Sequence, residues 1–261
     1  MTNSIGDVSF SERVKWRLAN PRLFLGSQLK RYRKTSHGFS LKTYDTYQCI
    51  FVHVPKCAGS AVVESLFGRE AGAPGHLTMS EYIGIFSPSK LNRYFKFTTV
   101  RNPWARVVSA YTFLKKGGLN PRDKAWGETY LAPYPNFKSF VKGWLTRENI
   151  YKKHHFMPQH HFLLAENHTD LSHFDFVAYV ENLEQDFAKI TAALGLNQAD
   201  LLLTNATTRK KHFTEYYDEE TKKIVSQVYA KDIHLLGYDF ANISLPTLIQ
   251  TRNQTFPLHK N

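Results

Sequence analysis

Cys49-Ile50-Phe51-Val52-His53-Val54-Pro55-Lys56-Cys57-Ala58-Gly59-Ser60-Ala61 reads as a buried strand that runs into a tight turn and then a helix. Apart from His53, its first six residues are apolar and rich in β-branched and aromatic side chains, as in a parallel strand covered on both faces. Pro55 ends the strand. From Ser60 to Phe67, Ala, Val and Leu recur at helical spacing, so the unit is strand, loop, helix. A loop of small residues in that position can turn its N–H groups inward. With the positive end of the helix it forms a cradle for phosphate-like oxygens, and Lys56 adds a full charge at the mouth. It is not a nucleotide-triphosphatase loop: the lysine stands at its beginning, and no Gly-Lys-Ser/Thr follows to hold magnesium. Read alone, the stretch also fits a plain strand-to-helix turn with a solvated lysine.

A second unit of the same kind follows. Tyr94–Val100 is the strand, Arg101-Asn102-Pro103 the turn and Trp104–Lys116 the helix, closed by Gly117-Gly118. Arg101 stands at a strand end, where open parallel sheets bind ligands, and Ser109 lies two turns along the helix. A planar fork of donors beside a hydroxyl suits a terminal phosphomonoester. The alternatives are that Arg101 caps the turn, that Ser109 packs against a neighbour, and that Arg106 is a solvated helix residue.

Two such units predict an α/β fold around a parallel sheet, in a single domain at 261 residues. Further out, Phe176–Val180 reads as a strand, Glu181–Leu194 as a helix and Asp218–Lys231 as an amphipathic helix. Residues 1–45 read as a basic N-terminal extension with helices over Ser11–Ala19 and Arg22–Lys30, residues 46–240 as the main domain, and residues 241–261 as a polar, poorly ordered tail. Residues 118–135, with their prolines and glycines among aromatics, read as a long ordered loop or lid rather than a linker.

Thirty-four Lys and Arg against 22 Asp and Glu leave a net charge of +12, which attracts polyanions. Cys49 and Cys57 are too few for a disulfide framework or a common zinc site. No apolar run is long enough to span a membrane and no leader stands at the start, which predicts a cytoplasmic chain, or a lumenal one if the sequence is truncated. Sequons at Asn167, Asn205, Asn242 and Asn253 would fit the lumenal case.

Val-Pro-Lys-Cys-Ala-Gly-Ser at 54–60 and Arg-Asn-Pro-x-x-Arg-x-x-Ser-x-Tyr at 101–111 together resemble the two cofactor-binding motifs of sulfotransferases that use 3′-phosphoadenosine-5′-phosphosulfate (PAPS). The closer similarity is to the family that includes heparan sulfate 2-O-sulfotransferases and bacterial carbohydrate sulfotransferases, and it extends into 175–190 and 216–238. The resemblance implies a P-loop-like sulfotransferase fold. It implies that Lys56, Cys57, Ala58, Gly59, Ser60 and Ala61 hold the 5′-phosphosulfate, that Arg101 and Ser109 grip the 3′-phosphate, that adenosine 3′,5′-bisphosphate (PAP) is the product, and that no metal is needed. Ala61-Val62 stands where many relatives carry Thr or Ser.

In-line transfer puts negative charge on the departing oxygen, and Lys56 is placed to stabilise it. The acceptor hydroxyl must lose a proton. Gly75-His76 resembles the segment carrying the catalytic histidine of the 2-O-sulfotransferase branch, which makes His76 the candidate base and Glu64 the runner-up. The run His154–His161 lacks a His-Glu-x-x-His pattern and reads as an acceptor-facing loop rather than a metal site. Arg209-Lys210-Lys211-His212-Phe213 and Tyr216-Tyr217 would cover the nucleotide, bind an anionic acceptor or simply face solvent. The expected partner is a carbohydrate or other hydroxyl acceptor, with charge favouring an anionic one, and not nucleic acid. The competing functions are a non-catalytic binder of anionic glycans or nucleotides, which gives no reason for two anion sites in register, and a kinase or NTPase, which would need an acidic residue where Arg101 follows Val100.

Overall fold

The computed structural model describes residues 10–32, 40–68, 75–165, 168–196, 200–202 and 211–256. Asn167, Asn205, Arg209 and Lys210 lie outside these. The chain begins with α1 (Phe10–Ala19), α2 (Pro21–Tyr32) and α3 (Leu41–Tyr47), then β1 (Cys49–Val52), α4 (Gly59–Phe67), α5 (Met79–Ile85), α6 (Pro88–Arg93), β2 (Phe95–Val100) and α7 (Pro103–Lys115). It continues through α8 (Pro121–Tyr130), α9 (Phe137–Trp144), α10 (Gln159–Leu163), β3 (Phe176–Tyr179), α11 (Leu183–Ala193), α12 (Glu219–Val228), α13 (Ala230–Leu236) and α14 (Leu245–Thr255). The strands form one parallel sheet in the order β1-β2-β3, flanked by helices, so the fold is the α/β class that the sequence predicts.

The register explains why the strands are so apolar. Phe51 pairs with Phe97, and Phe97 with Phe176, so a row of phenylalanines crosses all three strands. The first two rings stack with centroids 4.9 Å apart, and all three side chains are fully buried. Each contributes roughly 1.5–3 kcal/mol by leaving water. Among the described residues, no helix is long and apolar enough to cross a membrane.

Three expectations need correction. Residues 118–135 hold α8, because Asn120 caps a helix whose first residue is Pro121, the side chain accepting from the Asp123 N–H at 3.0 Å. Gly127 lies so close to α7 that a Cβ there would sit 2.6 Å from the Leu114 carbonyl oxygen, so this glycine marks packing rather than a loop. The helix expected over Asp218–Lys231 is broken at Tyr229 into α12 and α13. The tail carries α14, whose Arg252 is buried and forks onto Asp186 at 2.7 and 2.8 Å while also donating to the Val177 carbonyl of β3 at 2.8 Å.

Candidate active site

The C-terminal ends of β1 and β2 lie side by side, and their loops are joined. Residues Lys56 and Ala58 adopt left-handed backbone conformations (φ 67° and 60°). Neither is glycine, so each is strained by about 1–3 kcal/mol unless its surroundings hold it. They do: three successive carbonyls are held from the β2–α7 side. Arg106 Nε donates to Pro55 at 2.9 Å, Arg101 Nη1 to Lys56 at 3.3 Å and Thr99 Oγ1 to Cys57 at 2.5 Å. Carbonyl and N–H point opposite ways across a trans peptide, so the N–H groups of the same three peptides face away from β2 and α7. The Cys57 N–H closes a turn onto Val54. No side chain caps the N-terminus of α4, which leaves its first-turn donors for another acceptor.

Two guanidinium nitrogens, Arg101 Nε and Arg106 Nη2, are buried beside this loop without a hydrogen-bond partner among the described residues. Burial of unpaired donors is costly, and an anion would satisfy them. Arg106 is 1% exposed, so the sequence-based alternative of a solvated helix residue does not hold. Gly59 admits no side chain, since a Cβ would lie 2.0 Å from the buried His53 ring. Ser109 is buried on α7 one turn beyond Arg106, and Ser60 is exposed at the start of α4.

His76 reaches the start of the same loop. Its Nδ1 lies 2.9 Å from the His53 carbonyl oxygen, which can only accept, so Nδ1 carries the proton and Nε2 is left as an acceptor. Burial, and then the nearby charges of Arg106 and Lys56, lower its pKa despite the opposing effect of that bond. A capping box between Thr78 and Glu81 starts α5 and fixes the segment that follows His76. The His76 ring lies 4.3 Å from His53 and 5.2 Å from His154, centroid to centroid. Burial and His76 push His154 down to about 4. Burial and His154 hold His155 far lower still. The Lys56 ammonium sits 3.6 Å from the centre of the Phe113 ring, which in turn packs on His155. The candidate lysine and histidine thus share one cluster with the first two histidines of the 154–161 run. The candidate runner-up Glu64 lies half-buried on α4.

Gln159 had no role assigned from the sequence. It joins the two loops: its Oε1 accepts from the Cys57 thiol at 3.3 Å and from the Arg101 N–H at 3.0 Å, and its Nε2 donates to the Arg101 carbonyl at 2.7 Å. Burial pushes the Cys57 thiol up to about 12, so it stays protonated and donates. Gln159 is held in turn by Asp232, fully buried, which accepts from the N–H groups of Gln159 and His160 and from the His160 ring. Glu181 likewise accepts from the Asn102 N–H and from the Tyr238 hydroxyl, fixing the turn after β2. In the sequence, Gln159 falls in the 154–161 run read as an acceptor-facing loop, and Glu181 and Asp232 fall in the stretches 175–190 and 216–238 to which the resemblance extends, with no role given to any of the three. Among the described residues, no group of three His, Cys, Asp or Glu side chains converges as a metal site would.

Compared with known proteins, residues 40–239 match the family model described as "Sulfotransferase family". Over 104 residues the chain is 36% identical to an uncharacterized protein of Archaeoglobus fulgidus, covering 40% of this chain and 69% of that one. No solved structure matches.

Proposed function

The chain belongs to the sulfotransferase family, and from that premise we propose that it transfers a sulfuryl group from PAPS to a hydroxyl of a carbohydrate. The +12 net charge favours an anionic carbohydrate. The reading rests chiefly on one observation: Pro55, Lys56 and Cys57 have their carbonyls held by Arg106, Arg101 and Thr99, with two guanidinium nitrogens beside them left without partners among the described residues. That donor set fits a dianionic phosphate and a phosphosulfate better than a neutral ligand.

In this reading Lys56, Cys57, Ala58, Gly59, Ser60 and Ala61 hold the 5′-phosphosulfate, and Arg101 and Ser109 hold the 3′-phosphate. When bound, PAPS supplies an activated sulfuryl group on a phosphate leaving group. His76 takes the acceptor's proton at Nε2, because its other nitrogen already donates to the His53 carbonyl. Its lowered pKa keeps it neutral, and therefore able to accept, at neutral pH. Lys56 stabilises charge developing on the leaving oxygen. Gln159 acts through others as a positioning residue that keeps the two loops in register.

The test is calorimetric titration with PAP, AMP and ATP in the absence of magnesium. Binding of PAP, with the other two at least about tenfold weaker, is expected from the loss of one charge-assisted contact. Equal binding of all three would reduce the site to a general anion loop. Lys56→Ala and His76→Ala should each lower turnover by about 10²–10⁴ while leaving the protein folded, since both residues are half-buried at the loop rather than in the core. Near-normal turnover would remove that residue from the mechanism.

A further inference from the structure

The first two helices have apolar residues on two sides, and one of these sides is left exposed among the described residues. The inner side is accounted for. Trp16 packs on Gly84 of α5, where a Cβ would come within 2.0 Å of its ring. Arg13, Arg17 and Gln28 donate to the carbonyls of Phe86, Gly84 and Ile85. The outer side carries Leu18, Leu25 and Leu29, exposed by 76%, 58% and 56%.

These leucines form a stripe. The Asn20 N–H donates to the Trp16 carbonyl at 2.9 Å and the Phe24 N–H to the Asn20 carbonyl at 3.0 Å, so i→i−4 bonding carries through the junction of α1 and α2. At helical spacing Lys15, Leu18, Arg22, Leu25 and Leu29 then fall within one narrow sector, and all five are exposed. The surrounding segment is basic, with eight Lys or Arg against two acidic residues in the first 34 positions.

We infer that the outer face of α1 and α2 docks on an anionic lipid bilayer surface, with the leucines entering the interface and the cations facing the headgroups. Leucines interleaved with cations along one helix face match what a headgroup boundary offers, apolar chains below and negative charge above. A second copy of the chain fits poorly, because Lys15 and Arg22 would meet the same charges on a molecule of net charge +12. Nucleic acid leaves the three leucines in water. The contact is peripheral, since no described helix can span a bilayer. The inference does not depend on the reaction proposed above.

The experiment is flotation of the full chain with vesicles of phosphatidylcholine alone or mixed with phosphatidylglycerol. Binding to the mixed vesicles is expected, at least about tenfold above the neutral ones and weakened by salt. Leu18→Ser with Leu25→Ser and Leu29→Ser should lower it at least about tenfold, and Lys15→Glu with Arg22→Glu should do likewise, with melting unchanged because all five side chains are exposed. As a readout that removes no cation, Leu25→Trp should add a blue-shifted emission when mixed vesicles are present. No flotation, flotation that survives the triple leucine change, an unshifted emission, or leucine-dependent dimers on size exclusion without vesicle binding would each overturn the inference.

Discussion

His76 and two glycines, Gly59 and Gly75, give expectations for pH behaviour and tolerance to substitution. As the base proposed above, His76 must be neutral to accept a proton, and its environment lowers its pKa, so kcat/KM should fall only at pH values below the ordinary histidine value of about 6.5. A rate profile with its acid limb above that value would remove His76 as the base. Gly59 and Gly75 give opposite expectations: a Cβ on Gly59 would strike the His53 ring at 2.0 Å, whereas nothing lies within 4 Å of one on Gly75. Gly59→Ala should cost about 1–3 kcal/mol in chemical denaturation and disturb anion binding, and Gly75→Ala should leave stability unchanged. At this scale the sequence was informative where chemistry is local. Lys56 and the small-residue loop follow from their position between a strand and a helix. Gln159 and Arg106 do not, because their partners lie 102 and 51 residues away and spacing carries no record of such contacts.

Among the elements, the three strands and the helices after β1 and β2 were legible, because unbroken apolar runs and helical spacing report burial directly. The region of α8 was misread as a lid since its proline and glycine are usually loop residues; here one starts the helix and the other lets two helices touch. The region of α14 departs from the expected tail because its sequence is mostly polar; the buried Arg252–Asp186 pair attaches it, together with Leu245, Leu248 and Ile249, which pack half-buried against the core. Arg252→Ala would leave Asp186, which is fully buried, with its charge uncompensated. A loss of about 3–5 kcal/mol is expected in urea denaturation, and a loss below about 1 kcal/mol would mean that α14 is held by other contacts.

For the whole molecule, buried neutral histidines make stability depend on acid. His173 is 5% exposed, and burial lowers its pKa to about 4 despite its bond to the Leu163 carbonyl. The unfolded chain takes up that proton near 6.5 and the folded chain only near 4, so stability is full above the first value and declines through the interval below it. The expected decline is about 3 kcal/mol for His173, with a smaller share from the half-buried His154. Melting temperature should therefore drop as pH falls through this window, and a flat profile would show these histidines to be charged in the fold. The side chains that α1 and α2 lay over the last carbonyls of α5 have a separate consequence for anyone trimming the protein. The family match starts at residue 40, which makes that position a tempting place to cut. Such a cut would take away Arg13, Arg17 and Gln28 and uncork the far end of the helix that follows His76. A shortened chain should then show faster amide exchange in Met79–Ile85 and weaker turnover, although every residue of the loops after β1 and β2 would still be present.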